Sequence, residues 1–237
     1  WRQSITLQWW SQLLTAPLAV VLAAVASRTE NLWADLGLTA AYIVALPIAR
    51  QEYIYYNRSR ELLDDTVEAV VRALEGTDPD ARAHGDRVSA LAVETGRRMR
   101  LPERDLHTLR LASRLHDVGL LAGPDPHDGK YQHAAIGGQI LEDFPDPLIA
   151  EYVKAHHTRW DASLKGRGTS TSIPLGARIL AVAEVYDSAR AGLPPFEAPL
   201  SREDAVRHLR SLAGTVLDPE VVEVFLHVVA ERDEERP

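Results

Sequence analysis

The chain has 237 residues, 46% hydrophobic and 25% charged, which excludes a wholly disordered protein. That length gives room for one domain of about 150 residues and something smaller. Cysteine is absent, so disulfide frameworks, thiolate zinc sites and cysteine nucleophiles are excluded. A formal net charge of -8 excludes nucleic acid as an expected partner, because a phosphate-binding surface needs clustered Lys and Arg.

Opening on Trp1, the sequence is expected to lack a region that precedes it in the full protein. Residues 1–60 carry five Arg against three acids, whereas residues 61–237 carry 21 basic and 31 acidic side chains. The first part is also the apolar one. Gln3 to Ser27 holds no ionisable side chain, and a second uncharged run covers Leu36 to Ala49. A membrane-spanning helix needs roughly 20 apolar residues. With Trp9, Trp10, Trp33, Tyr42, Tyr53, Tyr55 and Tyr56 near the run ends, two membrane helices are expected in residues 1–57. The other reading of the same runs is a soluble helical hairpin packed on a core. Arg50, Arg58 and Arg60 follow the second run, which by the positive-inside rule puts the remainder in the cytoplasm, beneath a bacterial-type inner membrane.

Residues 58–76 read as a linker helix. Leu62, Leu63, Thr66, Val67, Val70, Val71 and Leu74 form a stripe at helical spacing, before Gly76 and Pro79 break it. Such a stripe could pair with a second copy of the chain, giving a homodimer through the 61–75 helix.

Residues 77–237 read as helical throughout. Val88, Leu91, Ala92, Thr95 and Met99 mark one helix; Pro102 opens another, with Leu106, Leu109, Ala112 and Leu115. Further helices are expected over Ile136 to Phe144, Leu148 to His157 and Pro174 to Ala189. Ser201 with Asp204 resembles a capping box, and Asp218-Pro219 opens the last helix. The irregular stretches 119–131 and 158–172 are long enough to be functional or mobile.

Nine histidines are present, and their placement carries the chemistry. His116-Asp117 and His156-His157 each end an apolar helix, His84 lies on the helix of Val88 and Leu91, and His133 is expected to open a helix. Glu184 sits inside an apolar run, where a carboxylate is costly to bury unless paired or metal-bound. Imidazole and carboxylate together suit Zn, Fe and Mn, and such ions can supply an activated water for attack on phosphorus. Taken singly, each residue also has a plain structural reading. A buried His is often a hydrogen-bonded core group, and Arg178 or Arg190 could pair with Glu184. The ordered set is what points to metal.

The same set carries a family resemblance. The stretches Ala83-His84-Gly85-Asp86-Arg87-Val88, Leu111 through His116-Asp117-Val118-Gly119, His156-His157-Thr158-Arg159-Trp160-Asp161 and Ile173 through Ala183 resemble the HD-GYP family. So do Leu200 through Ala205 and Leu217-Asp218-Pro219. That family is a branch of the HD-domain metal-dependent phosphohydrolases. The resemblance implies an all-α, HD-domain-like helical bundle over residues 77–237, here preceded by a membrane helical hairpin and a linker helix. It implies two or three divalent ions, Fe or Mn, and hydrolysis of cyclic di-GMP or a related nucleotide. His84, His116, Asp117, His133, His156 and His157 match family metal ligands, with Asp117 bridging and Asp117 and His116 at the catalytic centre. Glu184 stands where the family has Asp.

The sequence also departs from the family. Leu120 replaces a Lys three residues after the paired Asp, and the Gly-Tyr-Pro motif is missing after Asp161. Pro194 and Glu197 stand where phosphate-gripping arginines fall. Lys165, Arg167 and Arg190 are the cations left to bind substrate. The expectation is a membrane-anchored phosphodiesterase; the alternative is a catalytically impaired module that senses a nucleotide.

Overall fold

In the computed structural model, which describes residues 32–76, 78–122, 129–161 and 173–234, the regular elements are helices. They are α1 (Leu32–Glu75), α2 (Ala81–Arg98), α3 (Glu103–Leu115), a 3₁₀ turn (Val118–Ala122), α4 (Gly129–Ile140), α5 (Pro147–Ala155), α6 (Leu175–Ala191), α7 (Arg202–Leu212) and α8 (Pro219–Glu234). Among the described residues there is no strand; a lone bridge joins Ala213 and Leu217. The all-α expectation therefore holds.

The chain divides into two units, Trp1–Leu62 and Leu63–Pro237. In the first, the described part of α1 exposes Trp33, Ile43, Val44, Ile48 and Tyr53 through Tyr56, and Arg60 lies over the Tyr56 ring. The expected membrane hairpin is corrected here. Its first run, Leu13 to Ala26, lies outside the described residues. Its second belongs to a single 44-residue helix that continues without a break into the expected linker. Among the described residues no helix is long and apolar enough to cross a membrane. The physical reason is charge spacing: Asp35 and Arg50 bound the uncharged run, which falls short of the roughly 20 residues a span requires. The membrane placement and the inner-membrane localisation, which rested on two spans, fall with it.

The second unit begins with the last third of α1. Leu63, Val67, Val71 and Leu74 are buried in the unit's own core, while Leu62 is exposed. The stripe offered for self-pairing is thus largely covered within the chain. Glu68 on the same helix accepts from Arg82 at 2.6 Å and from Arg114 at 2.9 Å, tying α1 to α2 and α3.

At the centre lies α6. Ala177, Ile179, Leu180, Val182, Ala183 and Ala189 are all buried, so apolar side chains cover nearly its whole circumference. It packs against α2, α3, α5, α7 and α8. Burying each such Ile, Leu or Val contributes about 1.5–3 kcal/mol. Gly192 ends the helix in the left-handed conformation (φ 70°), which costs glycine little. Around α6, α2 packs on α3, α4 on α5, and α3 on α5.

Two helix boundaries differ from expectation. The helix expected over Ile136 to Phe144 runs over Gly129–Ile140, and Leu141 to Pro145 form turns. Gly137 and Gly138 lie within both the expected and the observed helix. In the fold they let α4 approach α5: an added Cβ at Gly138 would meet Lys154 Cβ at 2.8 Å. His133 consequently lies inside α4 rather than at its start. Ser201 does cap α7, accepting from the Asp204 N–H at 3.1 Å.

Candidate metal centre

Helix periodicity places the candidate side chains. His116 follows the last residue of α3 and His156 the last residue of α5, both with helical backbone angles. Each ring turns Nδ1 back to a carbonyl of its own helix, His116 to Ser113 O at 2.8 Å and His156 to Val153 O. With Nδ1 so engaged, Nε2 of each ring is the outward ligand atom. Two helix C-termini, the negative ends of their dipoles, therefore border the same site and favour a cation there.

The rings form a continuous row. Centroids are 5.1 Å apart for His84 and His116, 5.5 Å for His116 and His156, 5.4 Å for His133 and His156, and 4.0 Å for His156 and His157. Two groups of three emerge, His84–His116–Asp117 and His133–His156–His157, each with ligand atoms within 4.8 Å of one another. Asp117 faces both. Its Oδ2 lies 3.2 Å from His116 Nε2 and 3.9 Å from His84 Nε2, while its Oδ1 lies 3.5 Å from His133 Nε2. Glu184 on α6 reaches the second group, 3.6 Å from Nε2 of both His156 and His157. All seven sequence-predicted metal residues thus converge.

The arrangement of the turn after Asp117 is steric. Gly119 lies so close to α4 that an added Cβ would sit 2.0 Å from the carbonyl oxygen of His133. Only glycine permits that approach, and it brings Asp117 beside His133. The His156-His157 segment is fixed from the other side. Trp160 and Asp161 donate their N–H groups to Val216 O at 3.0 Å and Thr215 O at 2.9 Å, and Arg178 lies over the Trp160 ring.

The electrostatics fit a cation. Burial pushes the His116 imidazole below its ordinary value, and burial pushes His156 well below it, so both present neutral rings. The Asp117 carboxyl is held below its ordinary value among the surrounding rings, although burial alone would push it up. His156 Nε2 is buried without a hydrogen-bond partner, an arrangement that costs free energy unless another group takes the lone pair. A divalent ion is such a group, and neutral imidazoles with a carboxylate are its usual donors. The donor set is therefore compatible with divalent metal.

The structural alternative for Glu184 does not hold for the arginines named. Arg178 donates to Asp218 at 2.5 Å and to Ile173 O, and Arg190 donates to Leu200 O. Arg190 is thereby engaged by backbone. Lys165 and Arg167 lie outside the described residues. Leu120, in the position of the family lysine, is exposed on the 3₁₀ turn.

Sequence reasoning missed Asp187 and Arg87. Asp187, one turn beyond Glu184 on α6, is 5% exposed and bonds His84 Nδ1 at 2.8 Å. Arg87 clamps the same carboxylate with two bonds of 2.8 Å. Burial raises the Asp187 carboxyl, yet the His84 and Arg87 hydrogen bonds bring it below its ordinary value. The signal was available: Asp187, like Glu184, is an acid within an apolar helix.

Comparison with known proteins agrees with this construction. Residues 83–189 match the HD domain family. A cyclic di-GMP phosphodiesterase of Thermotoga maritima is 31% identical over 193 residues, covering 75% of this chain and 52% of that protein. A 3'3'-cGAMP-specific phosphodiesterase of Vibrio cholerae is 28% identical, covering 70% of this chain and 35% of that protein. This chain thus spans about half or less of these relatives' lengths. A crystal structure of a cyclic GMP-AMP-specific phosphodiesterase from V. cholerae matches with a TM-score of 0.55 at 19% identity, over 71% of this chain and 49% of that one, and supports the fold. Motifs, helical architecture and matched residues agree: residues 83–189 form an HD domain, and the chain is similar to cyclic dinucleotide phosphodiesterases that carry one.

Proposed function

We propose that this chain is a metal-dependent phosphodiesterase acting on a cyclic dinucleotide, cyclic di-GMP or a hybrid of the cGAMP kind. The observation that carries the reading is the two-sided placement of Asp117, with one oxygen toward His116 and His84 and the other toward His133. A carboxylate so placed suits a bridge between two ions. His84, His116 and Asp117 would hold one ion; His133, His156, His157 and Glu184 would hold the other. Iron and manganese suit this imidazole–carboxylate set.

When bound, a pair of divalent ions activates water and neutralises charge developing on the phosphoryl group. The chain's own contribution is donor state and position. His116 and His156 stay neutral through burial, Asp117 stays ionised, and backbone carbonyls hold two of the rings in register. The phosphohydrolase unit is assigned to residues 77–237, with 58–76 leading into it. Lys165 and Arg167 are proposed to contact substrate phosphate. The names of the relatives support the substrate class.

A second reading, a slow site that senses nucleotide, is favoured by Leu120 and by Arg190. The first is an exposed apolar side chain where the family has a cation, and the second donates to a backbone carbonyl. Loss of a phosphoryl-gripping donor lowers turnover without emptying the metal site.

The test is to purify the chain without air, measure bound iron and manganese, and follow cyclic di-GMP and 3'3'-cGAMP in separate reactions. Metal with linear dinucleotide product supports the phosphodiesterase. Metal and nucleotide binding without product supports the sensor. A chain that takes up no metal overturns both.

A further inference from the structure

We propose that Asp187, held by Arg87, is a positioning residue that sets the metal affinity of the His84–His116–Asp117 group alone. The inference rests on the metal-centre reading above.

Asp187 sits behind His84, not in front of it. Its Oδ2 meets His84 Nδ1 at 2.8 Å, whereas His84 Nε2 faces His116 Nε2 at 3.3 Å. A carboxylate accepts, so His84 carries its proton on Nδ1 and turns the Nε2 lone pair toward the group. His116 and His156 obtain the same orientation from neutral backbone carbonyls. His84 obtains it from an anion, and an imidazole backed by an anion is a stronger donor.

Arg87 makes the arrangement specific. Its bidentate hydrogen bonds occupy both Asp187 oxygens and fix the carboxylate plane. Asp187 is almost wholly buried, while the Arg87 side chain is 46% exposed, so the pair links a buried ligand to the surface. The two acids of α6 thereby divide the work. Glu184 faces His156 and His157, and Asp187 backs His84.

The experiment is a manganese titration of the full chain followed by electron paramagnetic resonance. Nitrogen-15 spectra of the His84 ring in the metal-free protein accompany it. Wild type is expected to show two binding steps and an Nδ1-protonated His84. Asp187→Asn is expected to weaken one step by ~10–100-fold and leave the other unchanged. Asp187→Glu recovers part of the loss, and Arg87→Lys gives a smaller loss in the same step. Equal weakening of both steps, or no change in either, overturns the proposal. So does a His84 ring protonated on Nε2, a readout that does not require metal to bind. Failure of wild type to bind manganese or iron would instead overturn the metal reading.

Discussion

The two groups of three histidine and carboxylate residues are built by different means. In the first, His84 and His116 come from the first turn of α2 and the end of α3, and an ion-paired carboxylate supports His84 from behind. In the second, His156 and His157 are consecutive at the end of α5, His133 comes from α4, and Glu184 faces two of the rings. The first is stiffened by charge and hydrogen bonds, the second by the end of one helix and an opposed acid. Asp117 and the turn at Gly119 are the shared parts. Two differently supported halves should therefore respond separately to changes in their own supports and together to changes in the shared parts.

The largest effect is expected from Asp117→Ala. Loss of the shared carboxylate should remove both manganese binding steps and lower turnover by more than ~100-fold, beyond what losing an outer partner does. Retention of one intact step in a titration would break the idea that Asp117 serves both halves.

Next is Gly119→Ala. Its Cβ would meet backbone rather than a side chain that can turn away, at 2.0 Å from His133 O and 2.9 Å from Gly137 N. Such overpacking costs about 1–3 kcal/mol, which thermal or urea unfolding would register, and both binding steps should weaken together. An unchanged unfolding midpoint would show that the turn can move off α4 freely.

His156→Ala should act on one half. The metal-dependent rise in Tm should shrink but not vanish, because the His84 group still binds; a ligand at 100 times its Kd stabilises by about 2.7 kcal/mol. In calorimetry, complete loss of the rise would mean that the halves bind only as a unit.

The smallest effect belongs to Glu68→Gln. Hydrogen bonds from Arg114 and then Arg82 hold the Glu68 carboxyl below its ordinary value. These arginines stand two residues before His116 and His84. A lowered folded-state pKa contributes stability above the unfolded-state value and loses it as pH falls through the folded-state value. Wild type should therefore exceed the variant at neutral pH by no more than about 2 °C in Tm, since exposed pairs are weak. The gap should close as pH drops below about 4.3, and added salt should narrow it at pH 7. A gap that widens in acid would reverse the assigned sign.

Much of this was legible in the sequence because helical periodicity and paired motifs are local. The stripes of α2, α3 and α8 announced those helices, and the His-Asp and His-His pairs marked the ends of α3 and α5. Elsewhere local signals misled. An apolar run bounded by Asp35 and Arg50 suggested a membrane span but forms part of one long helix. The helix expected over Ile136 to Phe144 starts seven residues earlier, over Gly129–Ile140. Asp187 went unread because its partners, His84 and Arg87, are about 100 positions away in the chain.

The sequence alone determined the helical class, the seven candidate ligands and the absence of thiol chemistry, because residue identity and spacing are properties of the chain itself. Only the tertiary structure decided which residues face one another: that Asp117 looks both ways, that Glu184 and Asp187 on one helix serve different rings, and that Arg178 and Arg190 turn elsewhere. Those choices follow from how helices cross, and the crossings are set by close packing between residues far apart in sequence.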